Sequence, residues 1–348
     1  MRDISKIDGN FKIKTDISRD GLRFYDVDSP PFALYGVRRE NGKYRRMPES
    51  VAKSVSEGVY LLHSNTAGGR VRFVTDSPYI AIHAEMDQVG KMPHFALTGS
   101  AGFDMYDGKD YVASFIPPFD LKKGYESVVD PGGGRQREIT VDLPLYSDVK
   151  ALFIGLKDGC ILKEPAPYKN KKPAVYYGSS ITQGGCASRP GMSYQAVVSR
   201  ALGIDYVNLG FSGSAKAEDE MIDYVKNLDM SVFVYDYDHN APTAEHLEKT
   251  HEKMFRAIRE KQPDLPVIMM PRPKFRLTED EKRRRDTVER TYLRALAAGD
   301  KNVYFIDSPA LTALCRDEGT VDDCHPTDFG FASMAKALTE VLSGMDLR

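Results

Sequence analysis

The sequence predicts an antiparallel β-sandwich followed by an α/β unit, a parallel sheet covered by helices on both faces. Three observations predict it. The first 165 residues hold short β-type runs set between turn residues, with few long helical patterns. From residue 172 the rhythm changes to strands alternating with helices. Between the two lies Glu164-Pro165-Ala166-Pro167, a Pro-rich stretch that suits a boundary. The chain has 348 residues, enough for two domains of ordinary size, and the expected modules are 1–165 and 172–348.

The β module is read first. Val71-Arg72-Phe73-Val74, the turn Thr75-Asp76-Ser77-Pro78 and Tyr79-Ile80-Ala81-Ile82 form strand, turn and strand. Residues 111–116, 137–143 and 149–156 are three further β-type runs. The turn pairs Gly68-Gly69 and Asp107-Gly108 precede two of the runs. Short strands at this spacing suggest a sandwich. Gly132-Gly133-Gly134-Arg135 lacks the spacing of a phosphate loop and the helix that would follow one, and is read as a loop.

In the second module, residues 174–177 read as a buried strand and 193–202 as a helix closed by Gly203. A strand at 206–209, a helix at 218–227 and a strand at 231–235 follow. A helix opens at Pro242-Thr243 and runs to about residue 261. After a strand at 267–270, Thr278 and Glu281 form a capping-box pattern that opens a helix to about residue 298. A strand at 303–306 and a helix at 328–342 complete the alternation. Five such strands argue for a parallel sheet.

Composition narrows the function. The net charge is −2 and charges are interspersed, so nothing favours nucleic acid or an acidic membrane as partner. Lys282-Arg283-Arg284-Arg285 is flanked by Glu279, Asp280, Glu281, Asp286 and Glu289, the pattern of a solvated helix face. The stretch MRDISKIDGNFKIKTD carries charges throughout and has no apolar core, so a secretion signal is not expected. No run of about 18 apolar residues would span a bilayer. Cys160, Cys186, Cys315 and Cys324 are scattered and read as reduced thiols, with cytoplasmic location the expectation.

In open α/β sheets, functional groups gather at the carboxyl ends of the strands. Gly178-Ser179-Ser180-Ile181-Thr182 follows the first strand, Gly210-Phe211-Ser212-Gly213 the second, and Asp236-Tyr237-Asp238-His239-Asn240 the third. Asp322-Asp323-Cys324-His325-Pro326 precedes the last helix. Ester hydrolysis needs a nucleophile, a base and donors aimed at the developing oxyanion. Ser180 can be the nucleophile and His325 the base, with Asp322 orienting the imidazole. The backbone N–H groups of Ser180 and Gly213 and the side-chain amide of Asn240 can serve as donors.

These blocks resemble those of the SGNH (GDSL-type) serine esterase and acylhydrolase family: Gly-Asp-Ser, a Gly block, an Asn block and Asp-x-x-His, in that order. Gly178-Ser179-Ser180, Gly213, Asn240, and Asp322 with His325 match across residues 172–345. Gly102-Phe103-Asp104-Met105-Tyr106 resembles the GxDLY domain that precedes some SGNH hydrolases. The resemblance implies a three-layer, flavodoxin-like α/β/α domain after a jelly-roll-like sandwich, and a serine esterase that works through an acyl-enzyme. Two departures stand out. Ser179 replaces the family's Asp, and Asp-His-Asn-Ala replaces the usual Gly-x-Asn-Asp. No Gly-x-Ser-x-Gly elbow of the α/β-hydrolases is found.

Blander readings stand beside these. Ser180 alone would be a turn or cap residue, and Gly213 and Asn240 alone would be turn residues. Asp323 competes with Asp322. Arg189 and Arg272 flank the expected cleft as candidate substrate ligands or as loop-bracing groups. His239, His246 and His251 tempt a metal reading, but His246 and His251 are five apart and share no helix face well. No Cys or His cluster has zinc spacing, so no metal or cofactor is expected. Cys324 fits the spacer of Asp-x-x-His rather than a nucleophile. The expected substrate is a small acyl ester, an acetylated carbohydrate foremost. A catalytically silent sugar-binding protein and an acyltransferase are the alternatives.

Overall fold

A computed structural model describes residues 16–347; residues 1–15, which were read for a secretion signal, lie outside that range. Two antiparallel sheets form the N-terminal part. One orders its strands Leu22–Asp26, Ala151–Lys157, Ile80–Glu85, Gly124–Val129. The other runs Leu162–Lys163, Arg70–Thr75, Arg137–Asp142, Phe103–Asp107, Asp110–Phe115, with Ala33–Tyr35 added beside Arg70–Thr75. Alternate residues point inward: Val71 and Phe73, Ile139 and Val141, Phe103 and Met105 meet Ile80, Ile82, Leu152 and Ile154 in one core. The expected sandwich is thus present, and the turn after Val74 carries the chain from one sheet to the other.

The second half is a five-stranded parallel sheet in the order Tyr206–Gly210, Ala174–Gly178, Val232–Asp236, Val267–Met269, Val303–Phe305. Helices Asp219–Lys226, Ala244–Lys261 and Glu279–Ala297 cover one face through Met221, Leu247, Met254 and Val288. Tyr194–Leu202 and Asp328–Leu342 cover the other through Tyr194, Val198, Phe331 and Leu338. The alternation Val175/Tyr177 against Ala174/Tyr176 feeds both cores from one strand. The capping box read at Thr278 and Glu281 is formed in both directions.

Two short helices, Glu49–Val55 and Glu57–Leu62, were not foreseen. Ser56 divides them and its side chain caps the second, so neither is long enough to show a helical period. They do not join the sandwich core. Ala52, Val55 and Val59 pack with Phe211 and Met221 on the α/β unit. Arg46, just ahead of them, is buried; its guanidinium lies 4.6 Å over the Phe211 ring and donates to the carbonyls of Asn208, Gly210 and Leu62. Asp104, from the Gly-Phe-Asp-Met-Tyr motif, is buried as well. It accepts from the Gly191 N–H at 3.1 Å and pairs with Arg189 at 3.2 Å. The two halves are therefore joined by buried polar contacts as well as apolar ones. Among the described residues, no helix is long and apolar enough to cross a membrane, and the four cysteines are unbridged.

Candidate active site

The strand Ala174–Gly178, second in the parallel sheet, ends where a Cβ would overlap the Asp236 carboxylate and the Thr182 hydroxyl, so only glycine fits at 178. Ser179 then stays extended, and its side-chain oxygen accepts the Ile181 N–H at 3.2 Å, capping the one-turn helix Ser180–Gln183. Gly184, in the left-handed region at φ 102°, stops that helix. Ser180 is therefore the first residue of a turn held at both ends.

Its hydroxyl lies 2.9 Å from Nε2 of His325. His325 comes from a tight loop closed by the Val321 N–H donating to the His325 carbonyl. Asp322 organises that loop. Its Oδ1 accepts the backbone N–H groups of Cys324 and His325 at 3.2 and 2.7 Å, and its Oδ2 is 2.7 Å from His325 Nδ1. Burial pushes the Asp322 carboxyl up, but these hydrogen bonds and the neighbouring imidazole outweigh it and hold the carboxyl below its ordinary range. An ionised acceptor at Nδ1 leaves the Nε2 lone pair for the serine proton. Asp323, at φ 63°, turns outward to Lys274 at 2.8 Å. Of the two acids, Asp322 is the one that faces His325.

The oxyanion candidates border the same edge. Gly213 adopts φ 68°, and a Cβ there would meet nothing within 4 Å. Gln183, from the helix that carries Ser180, accepts the Ser212 N–H at 3.0 Å and so fixes the Gly213 loop to the serine's own helix. Asn240 Nδ2 donates to the Phe211 carbonyl at 3.3 Å, a long bond that ties it to that loop. The Tyr146 hydroxyl donates to the Ser180 carbonyl at 3.2 Å.

The two arginines are engaged elsewhere. Arg189 pairs with Asp104 and stacks on Tyr111 at 4.1 Å. Arg272 is buried between Asp238 and Glu281, both at 3.0 Å. Both side chains are thus held by acidic partners on other segments of the chain. Burial pushes the Cys324 thiol up to about 11, so it stays neutral and a poor nucleophile.

Three groups at the site had no role in the sequence reading. Asp236 stood in the third block and turns out to accept hydrogen bonds from Thr182 and, at 3.0 Å, from Tyr194. Burial pushes its carboxyl up to about 7. It sits beneath the serine loop, against Gly178. Tyr146 and His94 come from the β module, and nothing in their spacing marks them. His94 Nε2 lies 3.7 Å from Asp322 Oδ2, and its ring centroid is 5.9 Å from that of His325. A cavity of ≈ 700 Å³, lined in part by Arg259, Arg294 and Asp300, opens at the amino ends of the parallel strands, away from Ser180. Its lining includes no pairing of a nucleophile with a base.

Residues 171–343 match the model of the GDSL-like lipase/acylhydrolase family, and residues 22–162 match the model of the GxDLY domain, the N-terminus of SGNH-hydrolase-type esterases. Among solved structures, a GDSL-like lipase of Bacteroides ovatus is 29% identical, with TM-score 0.82 over 92% of this chain and 97% of that one. A salicylyl-acyltransferase from a tetracycline biosynthetic pathway is 19% identical, with TM-score 0.76 over 95% and 100%. A family two carbohydrate esterase from Clostridium thermocellum, in complex with cellohexaose, is 15% identical, with TM-score 0.56 over 80% and 92%. At these last two identities the likeness shows the fold alone. No curated protein sequence matches the chain. With a family model on each half and a full-length structural relative, the chain is a serine esterase of the GDSL-like (SGNH) lipase/acylhydrolase family carrying an N-terminal GxDLY domain.

Proposed function

We propose that the protein removes small acyl groups, acetyl foremost, from a carbohydrate or similarly polar ester, with Ser180 as nucleophile, His325 as general base and acid, and Asp322 as the group that orients the imidazole. The observation that carries this reading is the relay of 2.9 Å from Ser180 Oγ to His325 Nε2 and 2.7 Å from His325 Nδ1 to Asp322. His325 takes the Ser180 proton as the hydroxyl attacks the ester carbonyl, then gives it to the leaving alcohol. The N–H groups of Ser180 and Gly213 and the amide of Asn240 receive the oxyanion; Asn240 gives up its long bond to Phe211 to do so. Water, activated by the same imidazole, releases the acid.

The acyl preference follows from the loops. Gly210-Phe211-Ser212-Gly213-Ser214 and residues 236–240 are short and polar, and no amphipathic lid is inserted between the catalytic blocks. A longer acyl chain gains about 0.8 kcal/mol per CH₂ only where apolar walls receive it. Acetyl is expected over octanoyl by roughly tenfold or more in kcat/KM on p-nitrophenyl esters, a gap of about 1.4 kcal/mol. Faster turnover of octanoyl would overturn the small-acyl reading. Asn240→Ala is expected to lower kcat by about 10²–10³ with little change in KM, the usual size for one oxyanion donor. A change confined to KM would assign Asn240 to substrate binding instead.

Acetate release from a panel of acetylated oligosaccharides tests the substrate class; no release from any of them would remove the carbohydrate reading. Among the fold neighbours is a carbohydrate esterase, which favours that class, and an acyltransferase, which makes transfer to a second alcohol the alternative. Both routes share the acyl-enzyme, and ester formation in place of free acetate would select the second. The complete relay argues against a silent sugar-binding protein. We also read residues 1–165 and 172–348 as modules of one working unit, because His94 and Tyr146 reach the serine's surroundings from the first.

A further inference from the structure

His94, Cys186 and His325 lie far apart in sequence and meet beside Ser180. One ligand atom from each lies within 4.8 Å of the others. His94 is exposed and the other two are partly so, which leaves the cluster open to solvent. Cys186 is placed there by the turn that ends the serine's helix. Gly185, just before it, comes so close to the His325 ring that a Cβ would stand 3.2 Å from Cδ2, and Cys186 itself takes φ 74°.

We propose that His94, Cys186 and His325 form a Zn²⁺ site whose occupation takes His325 away from Ser180 and switches the esterase off. Two imidazoles and a thiolate are borderline-soft donors of the kind zinc selects over magnesium or calcium. A tetrahedral ion with bonds of about 2.0–2.3 Å holds its donors about 3.5 Å apart, so side-chain rotations of about 1 Å close the set. The surroundings fit as well. His325 presents Nδ1 to Asp322 at 2.7 Å, the carboxylate–histidine arrangement that aims Nε2 at a metal. The same carboxylate oxygen lies 3.7 Å from His94 Nε2 and places negative charge beside the ion. As the Zn–S bond forms, the Cys186 thiol proton leaves to solvent. A water or the Ser180 hydroxyl completes the four positions.

Inhibition follows because Nε2 has one lone pair. Committed to zinc, it cannot take the Ser180 proton. The binding site stands on the cluster alone; the inhibition rests on the role proposed above for His325.

The test uses the full-length protein stripped with chelator. Titration with Co²⁺, a spectroscopic stand-in for zinc, is expected to give tetrahedral d–d bands and a thiolate-to-cobalt charge-transfer band at one equivalent. Cys186→Ser should remove the charge-transfer band, and His94→Ala, at an exposed position, should weaken Zn²⁺ binding at least tenfold by calorimetry. Zn²⁺ should abolish p-nitrophenyl acetate turnover and EDTA restore it. Absence of the band, or its persistence in Cys186→Ser, would overturn the site. The band with unimpeded turnover would overturn the switch. A protein without esterase activity would refute the proposed function, and the cobalt spectrum would still decide the site.

Discussion

Ser180→Ala is expected to lower kcat by a factor on the order of 10⁴–10⁶ while leaving the melting temperature within a degree or two. The loss is large because nucleophile and base act as a unit, so removing one forfeits the contribution of both. The fold should hold because the hydroxyl's hydrogen bond is to His325, whereas the bonds that fix the turn use the Ser180 backbone carbonyl, which receives Gly184, Gly185 and Tyr146. Steady-state turnover of p-nitrophenyl acetate beside a thermal melt checks both halves. Substantial residual turnover in a folded variant would dismiss Ser180 as nucleophile. Its neighbour supplies the contrast: the Ser179 hydroxyl caps Ile181, so Ser179→Ala should cost about 1 kcal/mol of stability and keep most of the activity.

Asp322→Asn is expected to cost on the order of 10⁴ in kcat. The amide oxygen can replace Oδ1 in accepting the Cys324 and His325 N–H groups, so the loop survives. The amide NH₂ then faces Nδ1 as a donor and drives the imidazole to the tautomer with its proton on Nε2, where it cannot take one from Ser180. Asp323→Asn, at a position 73% exposed and paired with Lys274, should change kcat little. Equal losses in the two variants, or none in Asp322→Asn, would mean that another group orients His325.

The parallel half was legible because its strands are continuous apolar runs and its helices carry caps and periods of their own. Thr278 with Glu281, and Gly203 after Leu202, announce themselves locally. The serine, histidine and Asp322 were legible because they fall in ordered blocks at strand ends. What escaped was set by distant packing. The helices at 49–62 are held by a sheet that begins more than a hundred residues later. Leu22–Asp26 and Gly124–Val129 are only partly buried strands with weak alternation. His94 and Tyr146 acquire meaning only when the sandwich lies against the serine's edge. Arg189 and Arg272 sit at suggestive positions, but their carboxylate partners lie on other segments and decide their orientation.

The helices at 49–62 also bear on how the polypeptide is made. A ribosome delivers the N-terminal residues first, and domains ordinarily fold in that order. Here Ala52, Val55 and Val59 emerge long before Phe211 and Met221, which share their buried cluster. Their apolar side chains therefore find their cover only once much of the parallel sheet has been synthesised, and that docking closes contacts across a long span of chain, which loop-closure entropy slows. Residues 172–348 expressed alone are therefore expected to expose the face that this early segment covers, which a lower melting temperature or soluble yield than the full-length protein would show.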